Sequence, residues 1–237
     1  VSAGTPPTVI RQMVGEITLW SDSFFQLRDV CRSLAFDPLN KKPANEKSIL
    51  FSQEMASSSS HSINNVPLVT LLEWYKIRDT FFGENFVHQN IPLALELAGR
   101  CQHPDARWLT EVCAGKGVTT KEDAKRVFSA LGQNDARALC FVWLLGDQED
   151  SAPLRRTAEL GFAFAQALMA GETRGVEKFK FSELAAAQGE RDGFYWLGWC
   201  FLFGEGCEKD LDMAKENFLL ASELGYVWAM LDLGGLL

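Results

Sequence analysis

Histidine is scarce in this chain. Only His61, His88 and His103 occur in 237 residues, far apart and without an acid or cysteine at metal-ligand spacing. They read as polar surface residues in loops or at helix ends, so no metal is expected. Six cysteines (Cys31, Cys101, Cys113, Cys140, Cys200 and Cys207) include no C-x-x-C pair, which leaves out a zinc knuckle and a thioredoxin-like site. Packed thiols in a reducing compartment are expected. Lysine and arginine number 23 against 31 acids, a net charge of -8 that argues against a general nucleic-acid surface and against anionic membranes. The basic residues between Lys121 and Arg126 alternate with acids. No N-x-S/T sequon occurs, and the first residues do not read as a signal peptide, so the expected location is cytoplasmic. No apolar run approaches the ~20 residues of a membrane span.

Catalytic motifs are missing too. The stretch Ala114-Gly-Lys-Gly-Val-Thr-Thr120 has a Gly-Lys pair, but a phosphate-binding loop needs Gly where Thr110 stands and Ser or Thr where Gly117 stands. A turn between helices explains the same residues. No catalytic residue and no cofactor is expected, and the chain reads as a non-enzyme.

What is present is an internal repeat. Gly189 is followed 36 residues later by Gly225, Gly193 by Ala229, and Leu197-Gly198 by Leu233-Gly234. A period of this length with helical patterning marks a stacked array of helix pairs. In the first helix, Gly193 to Gly204, apolar residues cover almost the whole circumference, as in a helix buried on most sides. Gly198 sits inside it at a cost of about 1 kcal/mol against Ala, which predicts close approach of a neighbour. Gly204 and Gly206 end it. Asp210 caps a second helix whose Leu211, Ala214, Phe218, Ala221 and Leu224 share one face, and Gly225 stops that one.

These residues carry a family resemblance. Gly193, Leu197, Gly198, Phe201, Gly204, Gly206, Asp210, Ala214, Phe218, Ala221 and Gly225 together resemble the Sel-one-like repeat, a relative of the tetratricopeptide repeat. Cys207 stands where the family usually has Val, and Asn217 where it usually has Trp. The resemblance implies an all-α fold, a right-handed α-solenoid of antiparallel helix pairs. Some cysteine-rich relatives were named for β-lactamase-like binding, but no serine here has Lys three residues on, as such a site requires. Cys200 and Cys207 are seven apart across the Gly204 turn, which leaves a disulfide between them open.

Along the chain, residues 1–9 read as an arm, and Ile17 to Leu34 keep a three-and-four spacing that predicts one broken helix or two short ones. Residues 37–65 read as loop or linker. A strong helix follows from Pro67 to Phe82, rich in aromatics and suited to capping a helical stack. The array itself is expected over 91–237, with helices at 91–100, 105–114, 121–131, 135–145, 154–160, 162–170 and 179–188. In the unit between Gly161 and Gly189, Ala165, Met169 and Ala170 take the places of Ala-x3-Leu-Gly. The expected division is therefore a helical N-terminal capping region over 1–90 with an insert at about 37–65, then the repeats, the last unit incomplete.

The resemblance implies a scaffold or adaptor that takes a protein or peptide partner on its concave face, lined by first helices. Candidates there are Arg107, Trp108, Glu111, Arg137, Trp143, Tyr195, Trp199 and Trp228, each of which a structural core role also explains. Ending after one helix of a pair, the sequence reads as cut from a longer array, with end-to-end self-association the other reading. Rival functions are an enzyme whose chemistry lies in the first 90 residues and a ligand-binding protein of the cysteine-rich type.

Overall fold

The computed structural model describes residues 62–63, 66–131, 135–146 and 150–236. The helix expected within 17–34, the insert up to residue 61, Cys31 and His61 lie outside them. Among the described residues the fold is all-helical apart from two short strands. Strand β1 (Ser62–Ile63) pairs antiparallel with β2 (Val66–Pro67), Ser62 opposite Pro67 and Ile63 opposite Val66, where a loop was expected. Val66 packs on the core, which anchors the ladder to the helices.

Eleven helices follow among the described residues. They are α1 (Leu68–Phe82), α2 (Ile91–Ala98), α3 (Pro104–Cys113), α4 (Lys121–Ala130), α5 (Ala136–Leu144) and α6 (Ala152–Glu159). Then come α7 (Ala163–Glu172), α8 (Gly175–Ala187), α9 (Arg191–Phe203), α10 (Leu211–Glu223) and α11 (Val227–Leu236). Each packs on the next in sequence, and α7 also meets α9. Local chemistry sets most of the boundaries. Thr120 and Asp123 form a reciprocal capping box at the start of α4, and the carboxylates of Asp135 and Asp210 accept from the first amides of α5 and α10. Gly204 closes α9 in the left-handed conformation at φ 71°.

Helix starts that lack a local signal fall elsewhere than expected. Helix α8 begins at Gly175, four residues before Phe179, and Arg174 supplies no side-chain cap. The Gly175 amide donates instead to Glu205 Oε1 (3.0 Å), a residue in the turn after α9. Gly206 in that same turn lies against the Gly175 carbonyl, where a side chain would not fit.

Alanine and glycine set the spacing of the stack. Ala138, Ala165, Ala170, Ala185, Ala214 and Ala221 are fully buried. A Cβ at Gly198 would stand 2.9 Å from the Phe218 ring, so the close approach anticipated from this mid-helix glycine is present. Ala165, Met169 and Ala170 are likewise buried. Large aromatics fill the space between: Phe128, Phe141, Phe164 and Trp108 meet at edge-to-face or stacked angles.

Helix α1 reaches well beyond its neighbours in sequence. Ile77, Arg78, Asp79, Thr80 and Phe81 are all buried, so its C-terminal half is enclosed on every side. Trp74 stacks on His103 at the start of α3 (5.3 Å), and Phe81 and Phe82 reach Phe128 and Phe141. Tyr75 Oη donates to the Gly189 carbonyl (3.0 Å) and accepts from the Arg191 amide (3.3 Å) at the start of α9. One helix thus touches elements spread over more than 100 residues of sequence.

Candidate functional site

Isolated reactive groups do not assemble into a site here. Among the described residues no group of histidine, cysteine and acid side chains could hold a metal ion. The Cys200–Cys207 disulfide left open by the sequence does not form, because both are free thiols. Burial pushes the Cys113 and Cys200 thiols up to about 11, which keeps them protonated and poorly nucleophilic. His103, expected at the surface, is buried against Trp74 and accepts from the Asp105 amide as a helix cap. Burial lowers its pKa. Gly115 and Gly117 take positive φ in the turn after α3, as the turn reading required.

The densest polar cluster joins α1 to α9. Arg78 Nη1 donates to both oxygens of Glu190 (2.9 and 3.0 Å), and its Nη2 to Asp192. Arg191 Nη1 donates to Asp79 Oδ2 (2.9 Å), its Nη2 to Asp79 Oδ1, and its Nε to Asp192 (3.3 Å). The guanidinium of Arg78 lies over the Phe164 ring at 3.8 Å, and that of Arg191 over Tyr75 at 4.7 Å. Every member is buried. Burial alone would raise Asp192, but Arg78 and Arg191 outweigh it and hold the carboxyl below its usual range. Burial does raise Glu190, although Arg78 pulls the other way. The loop after α1 is pinned as well: Asn85 donates to the Gly225 carbonyl (2.7 Å) and accepts from the Val227 amide (2.8 Å). Asn85 and Phe86 both adopt left-handed φ, 53° and 65°, a conformation that such contacts must hold in place.

The C-terminal part of α9 is different in kind. Tyr226, Tyr195, Trp199 and Phe203 form a ladder with successive ring centroids 4.8, 6.3 and 4.8 Å apart. It runs from the core to solvent, ending at Phe203, which is 60% exposed. Residues 195, 199 and 203 share one helix face because four residues make about one turn. Asp232 of α11 accepts from Trp199 Nε1 (3.0 Å). Burial raises the Tyr195 pKa, and the Asp232 carboxylate adds to that. At the start of α11, Trp228 lies against Phe86 at 4.8 Å, and both keep about two fifths of their surface in water.

Of the eight residues singled out from sequence, Arg137 is half-buried and the other seven separate into three groups. Trp108, Trp143 and Tyr195 are buried. Trp108 donates to Asp135 (2.8 Å) and lies under Arg137 at 4.8 Å, while Arg137 also pairs with Asp105 (3.3 Å). The Trp143 indole N–H has no partner among the described residues. Arg107 and Glu111 are exposed on α3. Trp199 and Trp228 lie at the surface with the α9–α11 aromatics. Sequence reasoning passed over Phe86, Phe203 and Asp232, as well as the α1–α9 charges. The four-residue spacing of Tyr195, Trp199 and Phe203 was the available signal for the ladder.

No known protein-family model matches this chain, and no curated protein matches it.

Proposed function

We propose that the chain is a Sel-one-like repeat protein, a right-handed solenoid that acts as a non-enzymatic scaffold or adaptor. Its partner is a protein or peptide, and the docking face is the aromatic one on α9 and α11. The observation that carries this reading is the ladder ending in the exposed Phe203, with Trp199 bonded to Asp232, and the half-exposed Trp228–Phe86 pair at the start of α11. Exposed large aromatics are costly to a protein that does not use them and are enriched at binding hot spots. Helix α1 already covers the beginning of α9, so a partner takes the part of that helix α1 leaves open.

The test is parallel crosslinking and capture from source cells, with the intact chain and with Phe203→Ala/Trp228→Ala as baits. Both rings are partly solvated, so the variant should keep its unfolding midpoint. Loss of two hot-spot rings is expected to lower recovery of specific partners by at least ~10-fold. Equal recovery by both baits, or no specific partner for either, would remove the reading.

A further inference from the structure

The cluster between α1 and α9 carries more acid than base. Arg78 and Asp79 come from α1, Glu84 from the loop after it, and Glu190, Arg191 and Asp192 from the start of α9. Fully ionised, two cations would face four anions, a surplus of two negative charges, with Asp79, Glu190 and Asp192 buried and Glu84 half-buried beside them. Buried charge without a counter-charge is removed by proton uptake.

Hydrogen bonding tells which carboxyls take the protons. Asp79 is gripped by both terminal nitrogens of Arg191, and Asp192 by one nitrogen from each arginine. Glu190 shares the single Nη1 of Arg78 between its two oxygens and adds a long 3.4 Å bond from the Asp192 amide. Glu84 makes no side-chain hydrogen bond among the described residues, and it borders a cleft of about 180 Å³ with Phe82, Gln89, Lys121, Leu144 and Leu145. That cleft gives solvent protons a way in.

We propose that Glu84 and Glu190 form a proton-loaded latch. With both protonated the cluster is neutral and holds residues 78–90 on α9 and α11; when both ionise, that segment is released.

Burial pushes Glu84 up to about 7, and it raises Glu190 as well. The other titratable groups facing the cluster stay uncharged through this range. Burial raises the Tyr75 and Tyr226 phenols and the Cys140 thiol of α5, and lowers His103 of α3. Lys121 at the start of α4 lines the same cleft as Glu84. An acid whose folded pKa is raised stabilises the closed form below its unfolded pKa, and the stabilisation is lost as pH rises through the folded value. Release is therefore alkaline, and the left-handed backbone at Asn85 and Phe86 relaxes with it.

Amide hydrogen exchange on the intact chain from pH 6 to 9, corrected for intrinsic exchange chemistry, tests the latch. Protection of residues 78–90 is expected to fall by at least ~10-fold between pH 6 and 8 and to go on falling as Glu190, raised to about 8, ionises, while α10 holds its protection. Glu84→Gln should remove much of that fall, and Glu84→Gln/Glu190→Gln should flatten the profile. If the double variant does not fold, Glu84→Gln alone decides. A flat wild-type profile, an unchanged profile in Glu84→Gln, or an equal loss of protection in α10 would each overturn the latch.

Discussion

The two ends of α9 are built from opposite chemistry. Its first residues are charged and buried; its last are aromatic and open. Glu190, Arg191 and Asp192 lose water but gain Arg78 and Asp79 from a helix 112 residues earlier. Tyr195, Trp199 and Phe203 lie farther along the same helix, where α1 no longer reaches, and exposure grows toward Phe203. Burial of polar groups is tolerable where the chain supplies partners for them. Exposure of apolar groups is tolerable where something else is to cover them. The contrast separates, within one helix, residues held by the chain's own partners from residues left open.

Breaking the charged end should have the largest effect. Arg191→Ala leaves Asp79 and Asp192 without a cation they now share, and loss of one partner from a buried ion pair costs about 3–5 kcal/mol. Urea unfolding should place the variant at least ~3 kcal/mol below wild type. A loss under ~1 kcal/mol would mean that water replaces the guanidinium and that the cluster holds little.

Between the two ends, Gly193 keeps α9 against α8. An added Cβ would lie 2.6 Å from both Ala185 Cβ and the Ala186 amide nitrogen, the latter being backbone that cannot rotate away. Gly193→Ala should cost about 1–3 kcal/mol by overpacking, against the small gain expected for Gly→Ala in an open helix. Gly198→Ala meets the Phe218 ring at 2.9 Å, which can tilt, and the Ala214 carbonyl at a looser 3.2 Å, and should cost less. The same unfolding series ranks the two, and a reversed order would show that α8 gives way more easily than Phe218.

The pH profile separates the ends further. Glu84, raised to about 7 by burial, contributes stability that is complete below its unfolded pKa near 4.5 and lost as pH rises toward 7 and beyond. Asp192, lowered by the two arginines, contributes stability present above its unfolded pKa and lost as pH falls through its folded value. Thermal unfolding should therefore peak in the mildly acidic range and decline on both sides. In Arg191→Ala the acid limb should shrink, because Asp192 loses one of the cations that depress it. Phe203 carries no titratable group, so Phe203→Ala should leave the profile unchanged.

How much of this was legible depended on how local the cause was. Asp210, Asp135 and Thr120 cap helices with their own side chains, and the helix starts expected at 121, 135 and 211 fall within a residue of α4, α5 and α10. Gly198, packed on Phe218, was readable as a close approach because glycine inside an apolar helix has few other uses. The start of α8 was not readable, since Glu205 holds it from 30 residues away. Nor was the α1–α9 cluster: no spacing rule links Arg78-Asp79 to Glu190-Arg191-Asp192. The clue was compositional. An arginine and an aspartate sit side by side inside an aromatic-rich helix, and a matching run of three charges precedes the next fully apolar one. The candidate partner face was half legible, in Trp199 and Trp228 but not in Phe203, Phe86 or Asp232.

The smallest expected effect on stability is the most informative one for function. Phe203 ends α9 with most of its ring in water, touching Trp199 at 4.8 Å. Truncating so exposed a side chain changes folding free energy by about 0.5 kcal/mol or less. A hot-spot ring lost from an interface costs about 2 kcal/mol or more, roughly 30-fold in affinity. Phe203→Ala should therefore unfold with the wild type and yet bind the captured partner far more weakly. Truncation of Phe162, a ring partly buried against Phe164 at the start of α7, should do the reverse. A partner whose affinity follows stability across both variants would be sensing the integrity of the stack, and the aromatic end of α9 would not be its docking face.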